Sequence, residues 1–434
     1  MQKMAKVNFN FPKTNGASKE GTMNKPLSVW QQIAAAPHRS MFLIGALQGV
    51  AAMLWWVFDL AGRYGIAGSA TAWSIAPVWA HAFLMMYGFF PFFIFGFLFT
   101  TYPNWMNAGK IPPRHALSAS LLMAGGIVLF YLGLAVGKPV AAAGVAVMLA
   151  GWGIAVYALL RVLFDAPRQD KRHPAVTSVA LVFGWLGMAA YLLWLLTGQA
   201  LLLDFARTAG IWFFLLPIVM TVNHRMIPFF SSRVLKNYVV VRPYWILWLM
   251  LACTAGHGIL LLREAHAYLW LADLPLAACA LYLSFTWGLL RSFRVSLLAV
   301  LHIAFAWLGL AMLLFGAQSL ALFASAGELA WFGLAPLHAL TIGYFASMVL
   351  GMVSRVTLGH AGQPLVLDRL TWLLFIGFQG SALIRVLADI VPAAAHLAPD
   401  LYLLAGLVWL ACFVPWAAHY IPNYWRPRAD GKSG

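Results

Sequence analysis

The sequence predicts an all-α protein: a polytopic integral membrane helical bundle of about twelve transmembrane helices, with both termini cytoplasmic. Hydrophobic residues make up 63% of the 434 and charged residues only 9%. Apolar windows of about 20 residues recur from Ser40 to Tyr420, and basic residues alternate between the two ends of those windows. Such a composition excludes an ordinary soluble domain.

The helices are bounded by charge and follow in order. The first lies near 40 to 60 between Arg39 and Arg63, and the second near 75 to 100, before Lys110. Arg114 opens a third near 115 to 136, and Lys138 separates it from a fourth near 139 to 162, which holds Arg161 at its end. The basic connection with Arg168, Lys171 and Arg172 precedes a fifth near 174 to 197. A sixth, near 205 to 228, starts beside Arg207 and ends on Arg225. Arg233, Lys236 and Arg242 lead into a seventh near 243 to 262, and Arg263 divides it from an eighth near 266 to 290. Arg291 and Arg294 precede a ninth near 295 to 316. The tenth, near 328 to 354, runs into Arg355; the eleventh, near 369 to 391, starts on Arg369 and carries Arg385; the twelfth spans 397 to 420.

Lys and Arg near helix ends are retained on the cytoplasmic side. With these helices, 23 of the 28 basic residues fall on the side of the termini and 5 on the other, namely Arg63, Lys138, Arg207, Arg263 and Arg385. That split supports the even helix count and two cytoplasmic termini in a multi-pass membrane protein. It divides the chain into a polar cytoplasmic tail (1–36), one transmembrane helical domain (37–425) and a cytoplasmic tail (426–434). The polar stretch before the first apolar window is longer than a signal-peptide n-region, so the first helix is expected to be retained. The net charge of +16 is spread over cytoplasmic loops as topology requires, which argues against nucleic acid as a partner and for the lipid bilayer. Cys253, Cys279 and Cys412 stand singly in apolar segments with no CxxC or CxxCH, so disulfide scaffolds, thiolate zinc sites and covalent haem lose support.

Histidines inside the apolar helices carry the functional signal. His338 lies 17 residues before Arg355 in an otherwise apolar segment, and His81 and His302 also sit within apolar runs, while His224 and His360 sit at the ends of such runs. An ionisable ring in hydrocarbon is costly and marks a functional candidate, although helix-to-helix hydrogen bonding is its commoner role. A metal offsets that cost by taking the neutral imidazole as ligand. At about 1.5 Å per residue, His81 and His338 fall roughly 9 and 15 Å inside the outer surface, depths at which two helices can hold a b-type haem between imidazoles. His302, roughly 12 Å from the inner face, together with His224 and His360, leaves room for an inner layer holding a second haem or copper. Arg225 and Arg355 are placed to hold haem propionates or lipid phosphates, with positive-inside anchoring the blander account of each. His257 is a reserve ligand. His38, His115, His173, His266, His396 and His419 fall at helix ends or loops and read as interfacial or solvated. A weak internal echo links HAFLMMYGFFPFF at 81–93 with HALTIGYFASM at 338–348, and both run in the same direction as the 205–228 segment.

The motifs PHRSMF (37–42), WAHAFLMMYGF and GFLFTTYPNW (79–105), NHRMIPFFSSRVL (223–235), LH (301–302) and LHALTIGYFASMVLGMVSRVTLGHAGQPL (337–365) resemble the NnrS family of bacterial membrane proteins. The resemblance implies a haem- and copper-containing protein linked to nitric oxide metabolism and tolerance, with His81, His224, His302, His338 and His360 as its recurring histidines. Trp79 and Phe83 stand where the family is expected to carry a further histidine and a glutamate. On this reading the chain acts on nitric oxide, binding and reducing it with electrons from a donor such as quinol. A haem-based sensor or sink without turnover and a secondary transporter are the rival classes. No His-His doublet, HPxxY or HxH occurs in the helices, which disfavours a conventional oxygen reductase. Asp273 is the main internal carboxylate, a shortage that counts against ion-coupled transport.

Overall fold

The computed structural model describes residues 28–66, 68–167, 170–391 and 397–431. Arg168, His396, Lys432 and all of the amino-terminal tail before residue 28 lie outside the described residues. Among the described residues every regular element is helical. Twelve helices are long and apolar enough to cross a membrane: α1 (Pro37–Arg63), α2 (Pro77–Met106), α3 (Pro113–Val136), α4 (Lys138–Asp165), α5 (Arg172–Thr197), α6 (Ala200–Val234), α7 (Tyr244–Leu262), α8 (His266–Thr286), α9 (Ser296–Ala324), α10 (Ala335–His360), α11 (Arg369–Ile390) and α12 (Ala398–Tyr424). Prolines in the first turn, where a missing N–H costs nothing, open α1, α2, α3 and α10 among others. The start of α1 meets the segment after α12, since Arg39 Nη1 donates to the Arg426 carbonyl at 3.2 Å.

α10 begins at Ala335 rather than near 328. The backbone is left-handed at Ala326, Gly327 and Gly333, which keeps 325–334 in turns, and Pro336 then seeds the helix. His338 therefore stands in the first turn of α10, shallower than the sequence suggests.

The twelve helices pack as three groups of four. In each group the first helix lies on the second (α1 on α2, α5 on α6, α9 on α10), and the last two form a hairpin (α3–α4, α7–α8, α11–α12). Each hairpin then passes to the next group, α4 against α5, α8 against α9 and α12 against α1, so the set closes on itself. The α3–α4 hairpin is the tightest: a Cβ added at Gly126 would stand 2.5 Å from the Gly144 carbonyl oxygen. α2, α6 and α10 are the helices that meet at the centre. Tyr87 of α2 donates to the Ala206 carbonyl of α6 at 2.6 Å, Asn223 of α6 donates to the Tyr344 hydroxyl of α10 at 2.9 Å, and Phe90 of α2 meets Phe345 of α10 edge-on.

Each central helix widens into a π-helical stretch, Leu84–Phe89, Ala209–Leu215 and Ala339–Ala346. Pro91 and Pro217 follow the first two stretches by two residues. Each removes an N–H from the helical ladder, which the wider turn accommodates. In α10 no proline intervenes, and the Ser347 hydroxyl instead donates to the Ile342 carbonyl five residues back, at 3.2 Å. The echo between 81–93 and 338–348 thus corresponds to two of three central helices with a shared distortion, a kind often found at functional sites.

Candidate functional site

His81 and His338 stand close to the starts of α2 and α10, at the end of the bundle away from the termini. His338 donates its Nδ1–H to the Leu334 carbonyl at 2.9 Å. That bond fixes the tautomer, leaving the lone pair on Nε2, where a metal-ligating histidine needs it. The Leu334 N–H in turn donates to Asp389 at 3.0 Å, so the turn that aims the imidazole is itself anchored to α11. His81 makes no hydrogen bond among the described residues: its Nδ1 is buried without a partner, and the indole of Trp56 lies flat on its ring at 4.1 Å. A buried orphaned nitrogen is expensive. A two-imidazole donor set from two of the central helices, with one tautomer locked, fits a haem iron.

Two arginines border this pair. Arg63 of α1 lies 5.1 Å over the Trp56 ring and bonds Asp59, and Arg385 of α11 bonds Asp389 at 2.8 Å. Arg385 also lies 4.1 Å over the ring of Tyr402 of α12, one turn before Gly406, where an added Cβ would stand 2.8 Å from Val57 of α1, so the helices that carry the two arginines both pack on α12.

The structure does not bring the other sequence-predicted histidines together. His302 of α9 is buried with its Nε2 3.1 Å from the Ser231 hydroxyl of α6. His224 of α6 contacts the Pro243 carbonyl through Nε2 at 3.2 Å and His173 of α5 through Nδ1 at 3.1 Å. His360 packs its ring against His38 of α1, centroids 4.4 Å apart. Among the described residues no three His, Cys, Asp or Glu side chains cluster as a metal site. Arg225 lies 4.7 Å over Trp105, and Arg355 4.0 Å over Phe230, next in sequence to the serine that contacts His302.

His38 and His173, read from sequence as interfacial or solvated, are buried. Both occupy the second position of a helix beside a proline, Pro37 or Pro174, and that placement is the one signal the sequence carried. His173 belongs to a chain that runs to the surface: its Nδ1 lies 3.5 Å from the Tyr244 hydroxyl, which donates to Asp170 at 2.8 Å. Hydrogen bonds from Arg172, and the one from Tyr244, hold the Asp170 carboxyl well below the usual carboxylate range. His257 of α7 bonds Asp273 of α8 at 2.6 Å, both fully buried, under the Trp212 ring. The main internal carboxylate is thus already engaged by an imidazole. Between α1, α2, α6 and α10 lies a cavity of about 60 Å³, lined by Phe42, Phe93, Phe97, Val222, Asn223 and Phe345 among others. Among the described residues the buried side-chain amide oxygen of Asn223 has no hydrogen-bond partner.

A family model described as NnrS protein matches residues 32–428, nearly the whole chain. The chain belongs to the NnrS family. Members of the NnrS family are membrane proteins linked to the response to nitric oxide, and the family is associated with haem and copper. Among curated proteins none matches the chain.

Proposed function

We propose that this protein binds haem b through His81 and His338 in the bacterial inner membrane, and that it acts on nitric oxide, binding it and reducing it with electrons from a donor such as quinol. One observation carries the reading: a locked His338 tautomer at the start of α10 and, at the start of α2, a His81 ring whose buried Nδ1 has no partner among the described residues. Haem, when bound, supplies an iron with high affinity for nitric oxide and a route for electrons. The chain's own residues do the rest. Leu334 and Asp389 orient His338, and Trp56 holds the plane of His81.

His224, His302 and His360 would serve further groups, copper or another haem, in the half of the bundle nearer the termini, with Arg225 and Arg355 as cationic surroundings. Their separate neighbours favour distinct sites over one shared centre. Anaerobic nitric oxide consumption with reductant, followed together with nitrous oxide, tests the proposal. Sustained consumption with product supports reduction, and uptake that stops at one equivalent per haem supports a sink.

A further inference from the structure

We propose that Arg63 and Arg385 form a two-guanidinium cradle for the paired carboxylates of a haem held by His81 and His338, an inference that rests on the haem reading above. The two arginines come from different helices, α1 and α11, and each is tied to one of the two histidines. Arg63 stands over Trp56, whose indole stacks on His81. Arg385 bonds Asp389, which holds the Leu334 N–H, and the carbonyl of Leu334 holds His338.

Neither arginine is used up by its aspartate. Arg385 gives Asp389 one N–H, from Nη1, and Arg63 gives Asp59 one, from Nη2, so most donors of each guanidinium remain free among the described residues. The aspartates have partners of their own: Asp59 also accepts the Trp73 indole N–H at 2.9 Å, and Asp389 accepts the Tyr402 hydroxyl and the Leu334 N–H. The carboxylates therefore serve to aim the guanidiniums, and the free forks suit a second pair of carboxylates.

The sequence points instead to Arg225 and Arg355 for this task. Arg355 lies 17 residues from His338 on the same helix, about 25 Å along its axis, farther than one macrocycle extends. Its ring contact is Phe230, beside Ser231, the partner of His302, so it belongs to the layer near the termini.

Iron protoporphyrin IX and its dimethyl ester distinguish the cradle from the imidazoles, because the ester keeps the iron and removes both charges. Each is titrated by absorbance into full-length apoprotein in detergent, for the wild type, for R63Q and R385Q, and for R385Q/D389N, which leaves no lone buried carboxylate. The expected result is an ester bound about tenfold or more weakly than the acid by the wild type, with that ratio falling severalfold in each variant. Equal affinity for acid and ester in the wild type overturns the cradle and leaves the haem reading standing, as does a ratio that no variant changes. A wild type that binds neither porphyrin overturns both.

Discussion

The indole of Trp56 lies on the imidazole of His81, with ring centroids 4.1 Å apart and planes 17° from parallel. The stack crosses from α1 to α2 and fixes a ring that has no hydrogen bond to hold it. Aromatic stacking of this kind contributes roughly 0.5–1.5 kcal/mol. Replacing Trp56 with Leu is therefore expected to weaken haem binding about two- to tenfold without abolishing it, as read by haem titration into the apoprotein.

His224 sends its Nε2–H to the Pro243 carbonyl, so its Nδ1 accepts from His173. H173F strands that nitrogen in the interior and is expected to cost roughly 1–3 kcal/mol of stability. Y244F removes one donor at the half-exposed end of the same chain, and its cost is expected to be smaller, about 0.5–1.5 kcal/mol. Reversible unfolding in detergent orders the two, and a Y244F protein less stable than H173F would contradict the assignment.

Asp273 and His257 form a fully buried pair, and among the described residues the second oxygen of Asp273 has no partner. Breaking the pair from one side, as in H257L, leaves a carboxylate alone in the apolar interior at a cost of roughly 3–5 kcal/mol. The double variant H257L/D273L is expected to recover most of that loss in the same unfolding assay.

The hydrogen bonds from Arg172 and Tyr244 stabilise the ionised form of Asp170, so its folded pKa lies below the unfolded value near about 3.9. The stability this provides is fully present above the unfolded pKa and is lost as pH falls through the folded one. D170N is expected to flatten the acid limb of a stability-against-pH curve below about pH 4, leaving the shape of the curve at neutral pH unchanged. An acid limb identical to wild type would show that Asp170 contributes nothing to it. The pair is half exposed, and its contribution is small.

Hydrophobic windows and basic flanks made all twelve helices legible in the sequence, because a bilayer demands both. His338 was legible for the same reason, since a lone imidazole stands out in an apolar run. The start of α10 was not, because Leu329, Trp331 and Phe332 are as apolar as a helix while the backbone at Ala326, Gly327 and Gly333 is left-handed. His38 and His173 were misread because a helix start is solvated or buried according to which helix lies beside it, and only packing brings His360 and His224 there. The roles of Trp56, Leu334, Arg63 and Arg385 likewise depend on α1 packing against α2 and α11 against the start of α10, which no local sequence pattern shows.

The visible absorption spectrum and haem content of the purified protein, recorded side by side for the wild type, H81A and H338A, test the central claim most directly. The account predicts a b-type haem spectrum in the wild type that is lost or strongly altered in either variant. A wild type without haem, or variants whose spectrum and haem content match the wild type, would contradict it.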